Sequence, residues 1–279
     1  MTIKECVKKY SIYLKDITHI PSKEVEILIM YLLEKNAIWL HLNYNSEFSK
    51  EKELENLVLK RSKSYPLEYI IGKVSFYGEL FLIEEGVLIP RPETEILIDK
   101  AREILEPKIQ NQKEPLNIVE IGCGSGIIST ILALLFDNIK IVCVDINDKA
   151  LDLAKKNAQR FKVENKIEFL KSNLFEKINI DNIFMLISNP PYIKNSYVLP
   201  KNVKFEPSNA LFGGENGDEI LKQIIKESSK REIPYVLCEM GYDQKAPLEA
   251  FFKEFKIESY SFYKDYEGFD RGFTLKFKF

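Results

Sequence analysis

The residues best suited to chemistry are Asn189-Pro190-Pro191-Tyr192. Two consecutive prolines fix the backbone and leave the Pro190 carbonyl free to face a ligand. Together with the side-chain carbonyl of Asn189, it supplies two acceptors aimed at the two N–H bonds of a single NH2 group. The Tyr192 ring offers a flat wall for a planar substrate. The candidate substrate-binding residues are therefore Asn189, Pro190, Pro191 and Tyr192, with Asn189, Pro190 and Tyr192 as the catalytic candidates. As a bare four-residue string the motif also fits an ordinary loop turn, so its meaning depends on what precedes it.

A glycine-rich loop lies upstream, in Glu120-Ile121-Gly122-Cys123-Gly124-Ser125-Gly126, directly before an apolar stretch. In a doubly wound sheet the loop after the first strand is where a nucleotide-like ligand lies. Glycines let the backbone approach that ligand and turn sharply into the helix. The spacing is G-x-G-x-G, not the G-x-G-x-x-G dinucleotide fingerprint, which favours S-adenosylmethionine (SAM) over NAD. Asp145 closes the next strand and either accepts both hydrogen bonds of a ribose diol or caps the following helix. Asn173 follows the third strand and has a side-chain oxygen able to accept from an adenine amino group. Leu174 either covers the adenine face or is an ordinary core leucine. The cofactor-binding candidates are thus Gly122, Cys123, Gly124, Ser125, Gly126, Asp145, Asn173, Leu174 and Asn189.

These residues need a scaffold of a particular kind. After Pro92 the chain alternates between strand candidates, at 117–121, 140–144, 167–170, 183–188, 234–238, 257–263 and 273–279, and helical segments near 93–105, 126–136, 147–161, 216–230 and 244–254. Such alternation predicts a mostly parallel sheet covered on both faces, an α/β fold. The last two strands are joined by about ten residues containing Gly268, which makes that pair antiparallel. Residues 1–72 read as helices, with apolar positions at helical spacing and Pro21-Ser22 as a helix start. Residues 75–83 have strand composition with a turn at Gly78-Glu79, a hairpin joining the two parts. The expected organisation is a helical docking domain over 1–72, a hairpin linker over 73–92 and a SAM-dependent domain over 93–279.

Composition narrows the function further. The 279 residues are 45% hydrophobic and 29% charged, with a net charge of −2, which excludes disordered, collagenous and membrane classes. Residues 1–72 hold 11 basic and 10 acidic side chains and carry no basic stripe, so direct nucleic-acid binding is not expected. Four scattered cysteines without a C-x-x-C pair, and only two histidines, argue against a metal site or a disulfide scaffold and fit a reducing cytoplasm. The longest apolar stretch, 127–136, is too short to span a bilayer.

Four further segments stand out: Pro66-Leu67-Glu68-Tyr69-Ile70-Ile71-Gly72, Val87-Leu88-Ile89-Pro90-Arg91-Pro92-Glu93-Thr94-Glu95, Phe205-Glu206-Pro207-Ser208-Asn209-Ala210-Leu211 and Cys238-Glu239-Met240-Gly241. With N-P-P-Y and the glycine loop they resemble the release factor glutamine methyltransferase family (the PrmC/HemK type) over nearly the whole chain. The resemblance implies a class I SAM-dependent methyltransferase fold, Rossmann-like with seven strands and the last one antiparallel. It implies a cytoplasmic monomer that uses SAM, yields S-adenosylhomocysteine and needs no metal. Its partners would be peptide chain release factors, methylated on the glutamine of their Gly-Gly-Gln motif, which modulates translation termination. The rival reading, an enzyme methylating adenine amino groups in nucleic acid, would use the same N-P-P-Y geometry. Two departures from the family pattern are Asn173 in place of an aspartate and, in Gly217-Asp218, the absence of the leucine often seen after the glycine. Arg91 holds either a carboxylate or a partner's backbone, and Glu206 either orders its loop or faces the substrate.

Overall fold

The computed structural model describes residues 1–110 and 112–279. The chain forms two compact units, Met1–Lys73 with Leu199–Phe205, and Val74–Val198 with Glu206–Phe279.

The first unit is helical: α1 (Ile3–Tyr10), α2 (Pro21–Leu33), α3 (Ala37–Leu42), α4 (Glu51–Arg61) and α5 (Leu67–Ile71). Thr2 and Glu5 cap α1 reciprocally, each side chain accepting from the other's backbone N–H. Pro21 opens α2 at its first turn, where a missing N–H costs nothing. Tyr10, Leu14, Val25, Leu28, Ile29 and Leu54 form a core of their own. Arg61 and Glu24 are buried together as a two-pronged pair, with bonds of 2.6 and 3.0 Å. The 199–205 segment belongs here because Phe205 meets Tyr65 edge-on at 5.1 Å between ring centroids.

The second unit begins with the hairpin β1 (Lys73–Phe76) and β2 (Glu79–Leu82). Its turn is Tyr77-Gly78, one residue earlier than the sequence suggests. Both residues have positive φ (52° and 79°), the type I′ geometry that matches strand twist. From Val74 on, the hairpin belongs to this unit. Phe76 and Phe81 are buried in the sheet's core, and a helical asparagine, Asn157, pairs with both the N–H and the C=O of Leu82 at 2.9 and 3.1 Å.

The rest alternates: α6 (Thr94–Ile109), β3 (Leu116–Ile121), α7 (Ile127–Leu135), β4 (Ile139–Asp145), α8 (Asp148–Arg160), β5 (Ile167–Lys171), β6 (Ile183–Ser188), β7 (Ile193–Lys194), β8 (Phe212–Gly214), α9 (Glu219–Lys230), β9 (Tyr235–Glu239), α10 (Lys245–Phe252), β10 (Ile257–Lys264) and β11 (Asp270–Phe277). Seven strands form one sheet in the order β10-β11-β9-β6-β3-β4-β5, and β11 runs antiparallel to both of its neighbours. The alternation predicts this mostly parallel sheet, and its seven strands with an antiparallel last one are what the resemblance to class I methyltransferases implies. The hairpin pattern did not indicate that β11 inserts between β9 and β10.

Successive residues of the central strands point to opposite faces, both of them covered, which is why these strands are apolar along most of their length. Ile118, Met185, Ile187 and Leu237 pack on one face with Leu97 and Ile98 of α6 and with α7. Val119, Ile121, Leu186, Val236 and Phe273 pack on the other with Leu221 and Ile224 of α9 and Phe252 of α10. From β3 the chain moves outward to β4 and β5, then returns to β6 on the other side of β3. The crevice at that reversal, at the carboxyl ends of the strands, is where such sheets hold ligands.

Candidate active site

The loops leaving β3, β4, β5 and β6 line one cavity at that crevice. Of the residues singled out from sequence, Gly122, Gly124, Asp145, Asn173, Leu174, Asn189, Pro190 and Pro191 line it. Cys123, Ser125, Gly126 and Tyr192 do not. Cys123 and Ser125 face inward: the thiol joins the core beside Cys143, and Ser125 is buried with its carbonyl accepting from Asn157 at 2.9 Å. Gly126 serves helix packing, since with φ +73° a Cβ there would lie 2.6 Å from the Ala154 Cβ. Further apolar lining comes from Val87 and Leu88, which open the Val87–Glu95 segment, and from Ile146 and Ile220, which the sequence did not single out.

Asp145 ends β4 with one oxygen accepting from Gly124 N and the other from Asn147 N, both at 2.9 Å. A carboxylate has about four acceptor sites, so capacity remains for a ligand. Burial raises its pKa, and the N–H groups of Asn147, Gly124 and Ile146 pull the other way. Asn147, not Asp145, caps α8, its side chain accepting from Lys149 N at 3.0 Å. Asn173 donates its NH2 to Glu176 at 2.8 Å, which leaves its oxygen as the free end. Leu174 has φ 46°, a left-handed conformation rare for a leucine, of the kind found at ligand clamps.

Asn189 follows β6 and donates its Nδ2 to Thr94 Oγ1 at 3.0 Å. Thr94 donates in turn to Glu239 Oε2 at 2.5 Å, and the Tyr192 hydroxyl donates to Glu239 Oε1 at 3.1 Å. Glu239 is wholly buried, and desolvation lifts its pKa to about 7 against the donated hydrogen bonds and the charge of Arg271. The Asn189 amide nitrogen is thereby engaged, and its oxygen has no protein partner among the described residues. Thr94 and Glu239 belong to the P-E-T-E and C-E-M-G segments, the only sequence signal that marks them. Gly213 lets the chain pass behind this loop, since a Cβ there would lie 2.4 Å from the Pro191 carbonyl.

The two residues left open by the sequence are partners of each other. Glu206 accepts from Arg91 at 2.6 Å and from Ile89 N at 3.0 Å, so it orders the chain and does not face a substrate. Glu120 lies behind the glycine loop. Its Oε2 accepts from both the N–H and the hydroxyl of Ser129, while Oε1 is buried without a partner.

Burial raises the Glu120 pKa from an ordinary 4.5 to about 8. Between those values the folded chain holds a proton that the unfolded chain has lost, so this contribution to stability is full below pH 4.5 and is lost as pH rises to about 8. Glu120→Gln removes that titration. Thermal denaturation should therefore show the variant gaining on wild type between pH 5 and 8. A difference in Tm independent of pH would contradict it.

Among the described residues no helix is long and apolar enough to cross a membrane, and no group of His, Cys, Asp and Glu is placed to hold a metal ion.

Residues 5–72 match the family model of the PrmC N-terminal domain, and residues 94–204 that of the Methyltransferase small domain. The release factor glutamine methyltransferase of Buchnera aphidicola subsp. Baizongia pistaciae is 35% identical over 278 residues, covering 97% of this chain and 98% of that one. The protein of the same description from Dictyoglomus turgidum is 38% identical over 266 residues, with 89% and 88% covered. Among solved structures, the N-terminal domain of human METTL16 in complex with SAH is similar in fold, at a TM-score of 0.53 and 15% identity, covering 90% of this chain and 94% of that one.

Proposed function

The chain belongs to the release factor glutamine methyltransferase family, and on that premise we propose how its residues direct a methyl group from SAM to the side-chain amide nitrogen of the glutamine in the Gly-Gly-Gln motif of peptide chain release factors, a modification that modulates translation termination. When bound, SAM supplies a methyl group on a positively charged sulfur, and S-adenosylhomocysteine is the product. The cavity suits such a ligand. Gly124 has no atom within 4 Å of where a side chain would begin, so its backbone is open to close approach. The free lone pairs of Asp145 suit the ribose hydroxyls, the Asn173 oxygen suits the adenine amino group, and Leu174 and Ile146 supply apolar walls.

An amide nitrogen is a poor nucleophile because its lone pair is delocalised into the carbonyl. With Asn189 Oδ1 and the Pro190 carbonyl accepting its two hydrogens, the lone pair points at the incoming methyl and planarity is easier to lose. The observation that carries this reading is the engaged Nδ2 of Asn189, which leaves the oxygen for the substrate. Alignment of this kind is worth up to roughly 7–11 kcal/mol of a barrier. No base is required before attack: the N–C bond forms as the S–C bond breaks, and the cationic nitrogen, now strongly acidic, then loses one proton to water. Tyr192 stands behind the cavity wall and steadies the loop through its hydroxyl bond to Glu239.

The helical unit is the docking surface for the release factor in this reading, and the protein acts as a cytoplasmic monomer. Its four cysteines are free and buried, in keeping with a reducing compartment. Gel filtration at the 32.5 kDa of one chain is the expected behaviour. Methylation of nucleic-acid adenine is not favoured, because the relatives matched over most of the chain carry the release-factor description. Mass spectrometry of the Gly-Gly-Gln peptide after incubation with SAM tests the reaction, with DNA as the parallel substrate.

Asp145→Ala separates cofactor binding from catalysis. A hydrogen bond to a charged group contributes about 1.5–3 kcal/mol, so SAM affinity measured by calorimetry should fall by about tenfold or more. Unchanged affinity would leave Asp145 only its two backbone bonds, holding the glycine loop.

A further inference from the structure

We propose that Thr94 is a positioning residue for the reaction: its hydroxyl, given a fixed direction by Glu239, holds the Asn189 amide in the orientation that turns its oxygen toward the substrate. The proposal rests on the reading of Asn189 as the acceptor of the substrate's amide hydrogens.

An asparagine amide has two ends of nearly equal size, one a donor and one an acceptor, and shape alone does not choose between them. The task assigned to Asn189 tolerates only one orientation, because an NH2 group facing the substrate amide would set donor against donor. The choice is made one residue further back. A threonine hydroxyl has a single hydrogen, and with Glu239 ionised, when both of its oxygens only accept, that hydrogen goes to Glu239 Oε2 at 2.5 Å. What Thr94 Oγ1 then offers Asn189 is lone pairs, and Asn189 answers with Nδ2 at 3.0 Å. With the amide reversed, two oxygens would face each other at that distance with no hydrogen between them. Direction thus runs from the carboxylate to the hydroxyl to the amide.

The chain is shielded from water and closed at its far end. Thr94 and Glu239 are 1% and 0% exposed, so solvent does not supply a substitute hydrogen. Glu239 Oε1 is occupied by the Tyr192 hydroxyl at 3.1 Å, which leaves Thr94 the other oxygen. Thr94 opens α6 and Glu239 closes β9, so two rigid elements set the direction of a side chain on the loop between β6 and β7.

Three substitutions test this in the full-length protein, with release factor as substrate and calorimetric titration of SAM alongside. Thr94→Val keeps the shape and removes the hydroxyl. It should lower kcat by about tenfold or more and leave SAM affinity within about threefold of wild type. Thr94→Ser restores the hydroxyl without the methyl and should return kcat to within about threefold of wild type. Should the valine variant not fold, Thr94→Cys keeps the volume with a weaker donor and should also lower kcat. Full activity in the valine or cysteine variant would overturn the proposal, as would a serine variant no better than valine, which would make the methyl packing the source of the effect. Asn189→Ala separates this from the reading beneath it. An active alanine variant removes the acceptor role itself, whereas an inactive one beside a fully active Thr94→Val removes only the part played by Thr94.

Discussion

Asn189→Ala is expected to reduce methyl transfer by about a hundredfold to a thousandfold while folding and SAM binding persist. The size follows by analogy with the loss of one positioned group from an oxyanion hole, roughly 2.7–4 kcal/mol. Asn189 is half-buried in a loop and contributes one side-chain hydrogen bond, to Thr94, so its truncation opens no large core cavity. Asn189→Gln is a sharper version of the same experiment. It keeps the amide but carries it one methylene further, and a displacement of about 1 Å at a reacting centre can cost about a hundredfold. Both variants should show the wild-type circular dichroism spectrum and a SAM affinity within about threefold. Single-turnover transfer to release factor, read by mass spectrometry, checks the loss. Transfer by the alanine variant within about threefold of wild type would contradict the acceptor role.

That such a residue can be found from sequence at all reflects how local its signal is. Strand ends, glycines and N-P-P-Y are read within a few residues, because backbone geometry and the period of side-chain burial decide them. The seven strands therefore lie within a few residues of where the alternation puts them. What local reading cannot supply is the choice among neighbours. Nothing within β11 announces that it pairs with β9, because any apolar alternating strand offers the same edge. The glycine loop shows the same limit at the scale of the site. Gly122 and Gly124 line the cavity while Cys123, Ser125 and Gly126 turn into the core, since consecutive residues of a tight turn cannot all face one side. Thr94 lies 95 residues from Asn189 and 145 from Glu239, so their contacts exist only once α6 and β9 are in place. Likewise Arg91 and Glu206 each carried two readings until the 2.6 Å pair between them chose one.

Deleting residues 1–72 should separate the holding of SAM from the recognition of a protein. The structure permits the experiment because the two cores on the faces of the sheet contain no residue from that span. A chain beginning at Lys73 keeps every apolar side chain that the sheet buries; it gives up the core around Tyr10, Leu28 and Leu54 and the Tyr65 ring against which Phe205 packs. The removed span holds none of the residues that line the cavity. It does expose large apolar side chains, with Ile38 and Leu42 one turn apart on α3 at 72% and 81%, and its charge of 11 basic against 10 acidic side chains suits a protein surface better than a phosphate backbone. A lone glutamine side chain in a pocket offers little area for discrimination, whereas specific protein pairs typically bury about 1,200–2,000 Å² in total. The shortened chain, once shown by circular dichroism to keep its sheet, should bind SAM within about threefold of full length and lose about tenfold or more in kcat/KM on intact release factor. A short peptide bearing Gly-Gly-Gln supplies the comparison, because it lacks the surface that a docking domain would grip and should be turned over equally by both chains. If the helices only shield the rest of the chain from solvent, the two chains will also be equal on the intact protein, and the docking role fails. If the peptide is lost along with the protein, the deletion has damaged the site, and the role passes to substitutions at Ile38 and Leu42, which leave the sheet unit whole.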